Sequence, residues 1–133
     1  MIVEQCSFLN KHWFKAFLST FENSIDSIVV TSLSPKEHFL YVSKSFKVKT
    51  GYTESDLVGK SPRILQGPET DRVVIKQLRG NLNNGEEFTG QTTNYRRDGS
   101  AYIVHWFITA IRNEVGDPVA YISYQKEITN TVW

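Results

Sequence analysis

Side chains able to do covalent or acid–base chemistry are few and scattered in this chain of 133 residues. Cys6 is the only cysteine, so no disulfide closes within the chain, and a reducing, cytoplasmic setting is the default expectation. His12, His38 and His105 have neither ligand spacing nor cysteine partners, so no metal site is predicted. No paired carboxylates and no nucleophile beside a base can be argued, and neither a G-x-S-x-G elbow nor a G-x-G-x-x-G loop occurs. Gly59-Lys60-Ser61 ends like a phosphate-binding loop, but that motif needs a glycine where Glu54 stands. The expected chemistry is therefore binding, and no enzyme is predicted. Aromatic residues make up 13% of the chain, enough either to line a pocket for a planar ligand or simply to fill a small core.

The elements that must position such a pocket follow from the pattern. The length suits one domain. Hydrophobic residues at 40% and charged residues at 22% are those of a globular chain. Lys and Arg number 15 against 14 Asp and Glu, so no long-range field steers the protein to nucleic acid or to an anionic membrane. No apolar run approaches the roughly 20 residues that span a bilayer, and the first residues do not have the pattern of a secretory signal. From about Val3 to Phe21 the pattern is helical. Phe14, Phe17, Leu18 and Phe21 fall on one face, extended by Phe8, Leu9 and Trp13. That greasy side either covers the domain or meets the same helix of a second copy.

The period then changes. Residues 27–31 and 39–42 are short β-branched or aromatic runs around a turn with Pro35, and they predict a hairpin. Short helices follow. Residues 43–50 stop at Gly51, and Thr53 with Asp56 forms a capping-box pattern before Gly59. Thr70 or Asp71 caps a longer helix carrying Val74, Leu78 and Leu82, which stops at Asn83-Asn84-Gly85. Three strands close the chain: 88–96, 101–112 with Tyr102, Val104, Trp106 and Ile108 alternating, and 118–128. Tight turns at Asp98-Gly99 and Gly116-Asp117 join them. The expected fold class is α+β, a five-stranded antiparallel sheet with short helices on one face and an N-terminal amphipathic helix. The boundaries read as 1–22 for that helix, 23–129 for the domain and 130–133 for a tail.

This order is that of PAS domains, and particular motifs resemble the light-oxygen-voltage (LOV) type. They are Gly51-Tyr52, the run Leu57-Val58-Gly59-Lys60, and the run Arg63-Ile64-Leu65-Gln66-Gly67-Pro68-Glu69-Thr70-Asp71. Asn94-Tyr95-Arg96-Arg97-Asp98-Gly99 resembles the family's NYRKDG strand-turn, and Tyr124 to Thr129 its closing strand. The resemblance covers roughly residues 25 to 129. It implies a sensory domain that binds a flavin, FMN or FAD, between sheet and helices. In the family an NCRFLQ motif supplies a reactive thiol; here the same stretch is Ser61-Pro62-Arg63-Ile64-Leu65-Gln66. The family's asparagine corresponds to Ser61, which is counted among the expected flavin contacts, and the position of the photoactive cysteine is Pro62, so the resemblance implies that no cysteinyl bond to the flavin forms there. Ser61 and Pro62 also make an ordinary helix start, with serine as N-cap and proline at the first position.

Other family positions are kept. The arginines that grip the flavin phosphate correspond to Arg63 and Arg79, and guanidinium suits phosphate through bidentate bonding. Gln66, Asn94 and Gln125 correspond to the family's amides, Gln125 facing the reactive edge of the ring. A second ring-contacting asparagine falls at Val104, which cannot pair with that edge. Some PAS domains bind haem through a histidine, and His105 is the one placed by alternation on a defined sheet face. Two expectations stand. The chain is a sensor that binds flavin non-covalently and responds to redox state or light, or it is a cofactor-free interaction module. In the second case it forms a homodimer through Trp13, Phe14, Phe17 and Phe21. Output is expected by one of three routes: a free-standing sensor, a piece of a larger one, or signalling through the N-terminal helix.

Overall fold

The fold is taken from a computed structural model, which describes residues 11–20, 26–33 and 35–129. The elements run α1 (His12–Ser19), β1 (Ser27–Thr31), β2 (Phe39–Val42), α2 (Lys44–Thr50), α3 (Glu54–Leu57), a 3-10 turn (Pro62–Leu65), α4 (Arg72–Asn83), β3 (Phe88–Tyr95), β4 (Ala101–Arg112) and β5 (Pro118–Ile128). The strands form one antiparallel sheet in the order β2-β1-β5-β4-β3. β5 returns to the middle of the sheet, so both hairpins are anchored on the last strand.

Local chemistry sets the helix ends where the sequence placed them. The Thr53 hydroxyl accepts from the Asp56 amide, and the Asp56 carboxylate accepts from the Thr53 amide at 2.9 Å, closing the capping box. Asp71 accepts from the amides of Val73 and Val74 at the start of α4. Gly51 ends α2 at a φ of 78°, a left-handed conformation that glycine adopts without steric cost.

Strand alternation divides the sheet into two faces. The inner face carries two apolar clusters. One joins Leu78 and Leu82 of α4 to Phe88, Tyr102, Val104, Trp106 and Ile108. The other joins Val29, Phe39, Val42, Phe46, Leu57 and Leu65 under the short helices. Fully buried side chains of this size contribute about 1.5–3 kcal/mol each. The outer face is covered by α1, whose Phe14 and Leu18 pack on Ile28, Val30 and Ala120.

That packing revises the expected face of the first helix. Phe14 and Leu18, four residues apart, are buried in the chain's own core, whereas Trp13 is 62% and Phe17 43% exposed. Phe14 is therefore committed to the chain's own sheet and is withdrawn from the expected interface with a second copy. Phe17 stacks beside Phe14, ring centroids 6.1 Å apart, at the margin of the buried ridge and some 60° of helical turn from Phe14. Cys6, Phe8, Leu9 and Phe21, together with the rest of the expected helix outside 11–20, lie outside the described residues.

Candidate functional site

A cleft opens on the inner face at the seam between the two apolar clusters. Val29, Phe39 and Leu65 line one side, and Leu78, Trp106 and Ile108 the other. Its polar lining comes from Asn94 on β3, Ser123 and Gln125 on β5, and Thr31 on β1. These side chains are on alternate inward positions of adjacent strands: Gln125 lies opposite Trp106 on β4 and Ser27 on β1. The cleft's free volume is about 80 Å³. Outside it is a wider vestibule of about 820 Å³, bordered by Lys36, Glu37, His38, Ser61, Arg63 and Arg79. Glu37, Pro62, Gln66 and Arg79 border both spaces, so the vestibule leads into the cleft.

The mouth is held by two ties to the sheet. Along the β2 edge, the Phe39 amide donates to the Lys60 carbonyl and the Gly59 amide to the Phe39 carbonyl, each at 2.9 Å. This delivers Ser61-Pro62 to the opening. The Ser61 hydroxyl accepts from the Arg63 amide at 3.2 Å, with Pro62 at the first position of the 3-10 turn. At the other side the Thr70 hydroxyl donates to the Thr93 carbonyl at 2.8 Å, and the Asp71 amide donates to the Thr92 hydroxyl. These bonds fix the start of α4 on β3, and with it the position of Arg79 two turns later. Gly67 is required in this turn. A Cβ there would stand 2.4 Å from the Tyr95 ring, whose hydroxyl accepts from the Glu69 amide.

The residues singled out by the sequence divide as follows. Arg63 and Arg79 meet in the vestibule, and Asn94 and Gln125 meet in the cleft. Gln66 borders both, but its amide oxygen already accepts from Arg72 at 2.6 Å. Gln125 donates to the Ser123 hydroxyl at 3.0 Å. Burial raises the Tyr102 phenol above its ordinary range, and its hydrogen bond with Asn94 pulls it the other way. Val104 is buried beside Tyr102 in the apolar cluster. His105 alternates with Val104 and Trp106, which face inward, so it lies on the outer face and cannot serve as an axial ligand in the cleft. Among the described residues there is no metal-binding group of His, Cys, Asp or Glu, and no helix is long and apolar enough to cross a membrane.

Sequence reasoning missed three participants. Glu37 pairs with Arg79 at 3.0 Å and accepts from the Thr31 hydroxyl at 2.8 Å. Ser123 holds the Gln125 amide. Trp106, legible only as an alternating apolar residue, narrows the cleft. For a flavin the donor set fits: guanidinium groups stand at the polar mouth and carboxamides at the deep end. The free volume fits only after movement, since a ligand pocket ordinarily offers about 300–1,000 Å³. Trp106 and the Glu37–Arg79 pair are among the groups that line it.

Comparison with known proteins places this geometry in a family. The PAS domain family matches residues 25–130. Rice phototropin-2 is 32% identical over 102 residues, covering 77% of this chain and 11% of the phototropin. Rice phototropin-1A is 33% identical over 115 residues, covering 86% of this chain and 12% of the relative. The nitrogen fixation regulatory protein of Klebsiella oxytoca is 28% identical over 103 residues, covering 77% of this chain and 21% of that protein. The chain thus spans a small part of each of these relatives. Among solved structures, a light-oxygen-voltage domain from work on a flavin analogue superposes with a TM-score of 0.80 at 33% identity, covering 86% of each chain. The dark structure of the Aureochrome1 LOV domain superposes at 0.75 with 29% identity, covering 90% of this chain and 85% of its own. The sheet order, the motif positions and these likenesses agree: the chain belongs to the PAS domain family and is of its light-oxygen-voltage type.

Proposed function

We propose that this domain is a sensor that binds a flavin without a covalent bond and reports the ligand's redox or light-driven state through β5. The observation that carries the reading is the shared border of vestibule and cleft. Arg79, Gln66 and Pro62 line both, so phosphate-gripping guanidinium and ring-facing carboxamides lie along one path. A bound flavin would supply electron transfer and blue-light absorption; the chain's part is to hold it and to respond. Arg63 and Arg79 would take the phosphate, and Asn94 and Gln125 the polar ring edge. Pro62 borders the cleft where the family resemblance expects a thiol, and proline offers no nucleophile. The signal therefore has to pass through hydrogen bonds.

Gln125 is the residue suited to do so. Its amide carries a donor and an acceptor, so it stays satisfied by turning over when the ring edge changes from acceptor to donor. It would then exchange its present bond to Ser123 on the same strand. β5 pairs with both β1 and β4, and α1 packs on the opposite face beside Ala120, so a shift of β5 reaches the first helix. Equilibrium titration of the purified protein with FMN and with FAD tests the binding. Protein-bound absorbance that migrates with the domain on gel filtration is expected, and its absence ends the proposal.

One observation favours a second reading. A cleft of about 80 Å³ and an arginine already paired with a carboxylate also describe a domain that works without a cofactor. In that case the output surface is α1, where Trp13 and Phe17 are exposed, and the partner is a second copy. Protein that takes up no flavin yet has the mass of a dimer by light scattering would decide for it.

A further inference from the structure

Arg79 stands at the boundary between vestibule and cleft with an anion already on it. The Glu37 carboxylate lies 3.0 Å from its Nη1, across 42 residues of sequence. The other Glu37 oxygen accepts from the Thr31 hydroxyl at 2.8 Å, and the Glu37 side chain is only 15% exposed. The pair bridges the β1–β2 connection and the middle of α4, and both residues border both spaces. Lys36 and Arg63 line the same vestibule, so Glu37 offsets part of its basic charge.

We propose that Glu37 is an internal stand-in for the acidic group of the ligand: it holds Arg79 across the mouth of the cleft and yields the guanidinium when a phosphate enters. The inference rests on the flavin reading above and adds what decides ligand choice at that site. A phosphate monoester carries about −1.5 to −2 charge near neutral pH and three acceptor oxygens. It therefore outcompetes a single carboxylate for a guanidinium, and Arg63 and Lys36 add to the difference. A carboxylate left beside that phosphate is repelled, so Glu37 swings outward on binding. Its Thr31 bond then breaks or is dragged along. Thr31 pairs with Phe39 on β2 and with Tyr121 on β5, so loading of the phosphate site is felt in the same strand that carries Gln125. The latch thus selects ligands with a strongly acidic tail and couples their arrival to the sheet.

The test compares FMN with riboflavin, which lacks the phosphate, on the wild type, Glu37→Gln, Arg79→Gln and the double variant. Glu37→Gln removes the competing charge and keeps the shape. It is expected to bind FMN about tenfold tighter than wild type, with riboflavin affinity changed by less than about twofold. In the Arg79→Gln background the FMN gain from the Glu37 substitution should shrink well below tenfold, to what relief of direct carboxylate–phosphate repulsion alone gives. Should Glu37→Gln fail to fold by circular dichroism, Glu37→Met gives the same comparison, because it removes the same charge at similar length. Equal FMN affinity in wild type and variant, or a parallel gain for riboflavin, overturns the latch and leaves the flavin reading standing. No bound flavin of either kind in any variant overturns both.

Discussion

Replacing Trp106 with alanine tests how the cleft is filled. The indole is 7% exposed and belongs to the cluster of Leu78, Leu82, Phe88 and Ile108, with the Phe88 ring 6.4 Å from its centre. Truncating such a residue costs about 3–5 kcal/mol, from lost burial and from the space left behind. For a domain of this length each kcal/mol is worth roughly 3–6 °C of melting temperature, so Trp106→Ala is expected to melt about 10–30 °C below wild type. The same change enlarges the cleft at the point that must open for a three-ring ligand. FMN should therefore stabilise the variant more than the wild type. At a hundredfold excess over Kd the gain is about 2.7 kcal/mol, which recovers most of the loss. Thermal melts followed by circular dichroism, with and without FMN, read both quantities. A variant that melts within a few degrees of wild type refutes the packing argument. A variant that is destabilised but gains nothing more from FMN refutes the claim that Trp106 limits the cleft.

Further outcomes follow from single contacts. Gly67→Ala pushes a methyl group into the Tyr95 ring and should cost about 1–3 kcal/mol in a urea melt, whereas Gly80→Ala, with open space at its Cβ, should not destabilise. Hydrogen bonds from the Thr53 backbone and hydroxyl hold the Asp56 carboxyl below its ordinary range, with Arg97 at 3.5 Å adding to the effect. Its stabilising contribution is therefore complete at neutral pH and lost as pH falls through its lowered value, and Asp56→Asn should flatten that part of the acid melting curve. Burial raises the Tyr102 phenol, and the hydrogen bond to Asp26 raises that of Tyr124, so ultraviolet difference titration should show two tyrosines ionising later than free tyrosine, and Tyr102→Phe should remove one of them. If α1 is a dimer surface, Trp13→Ser with Phe17→Ser lowers the mass by light scattering without unfolding the domain, while Phe14→Ser unfolds it.

The sheet and its turns were legible because their signals are local. Alternation in 101–112, the Asp98-Gly99 turn, and the capping residues Thr53 and Asp71 each act within a few positions. The first helix was legible as amphipathic, but not which of its two apolar ridges would be covered. Phe14 and Leu18 win because Ile28, Val30 and Ala120 wait beneath them, and those residues are far away in sequence. At the site, Arg63, Arg79, Asn94 and Gln125 were named from their motifs, and the fold brings them to one continuous space. Glu37 was not named. Its meaning lies in a partner 42 residues away and in a loop between strands that carries no motif. Cleft volume was illegible for a related reason: it is what remains after side chains from seven segments have packed, and no single residue states it.

The most direct measurement of the central claim is the visible absorbance spectrum of the freshly purified domain, taken before and after incubation with FMN or FAD and removal of free ligand. A flavin spectrum should stay with the protein and weaken when Arg63 and Arg79 are both replaced by glutamine. A colourless protein that retains no flavin after incubation would contradict it and leave a PAS scaffold whose cleft is simply its core.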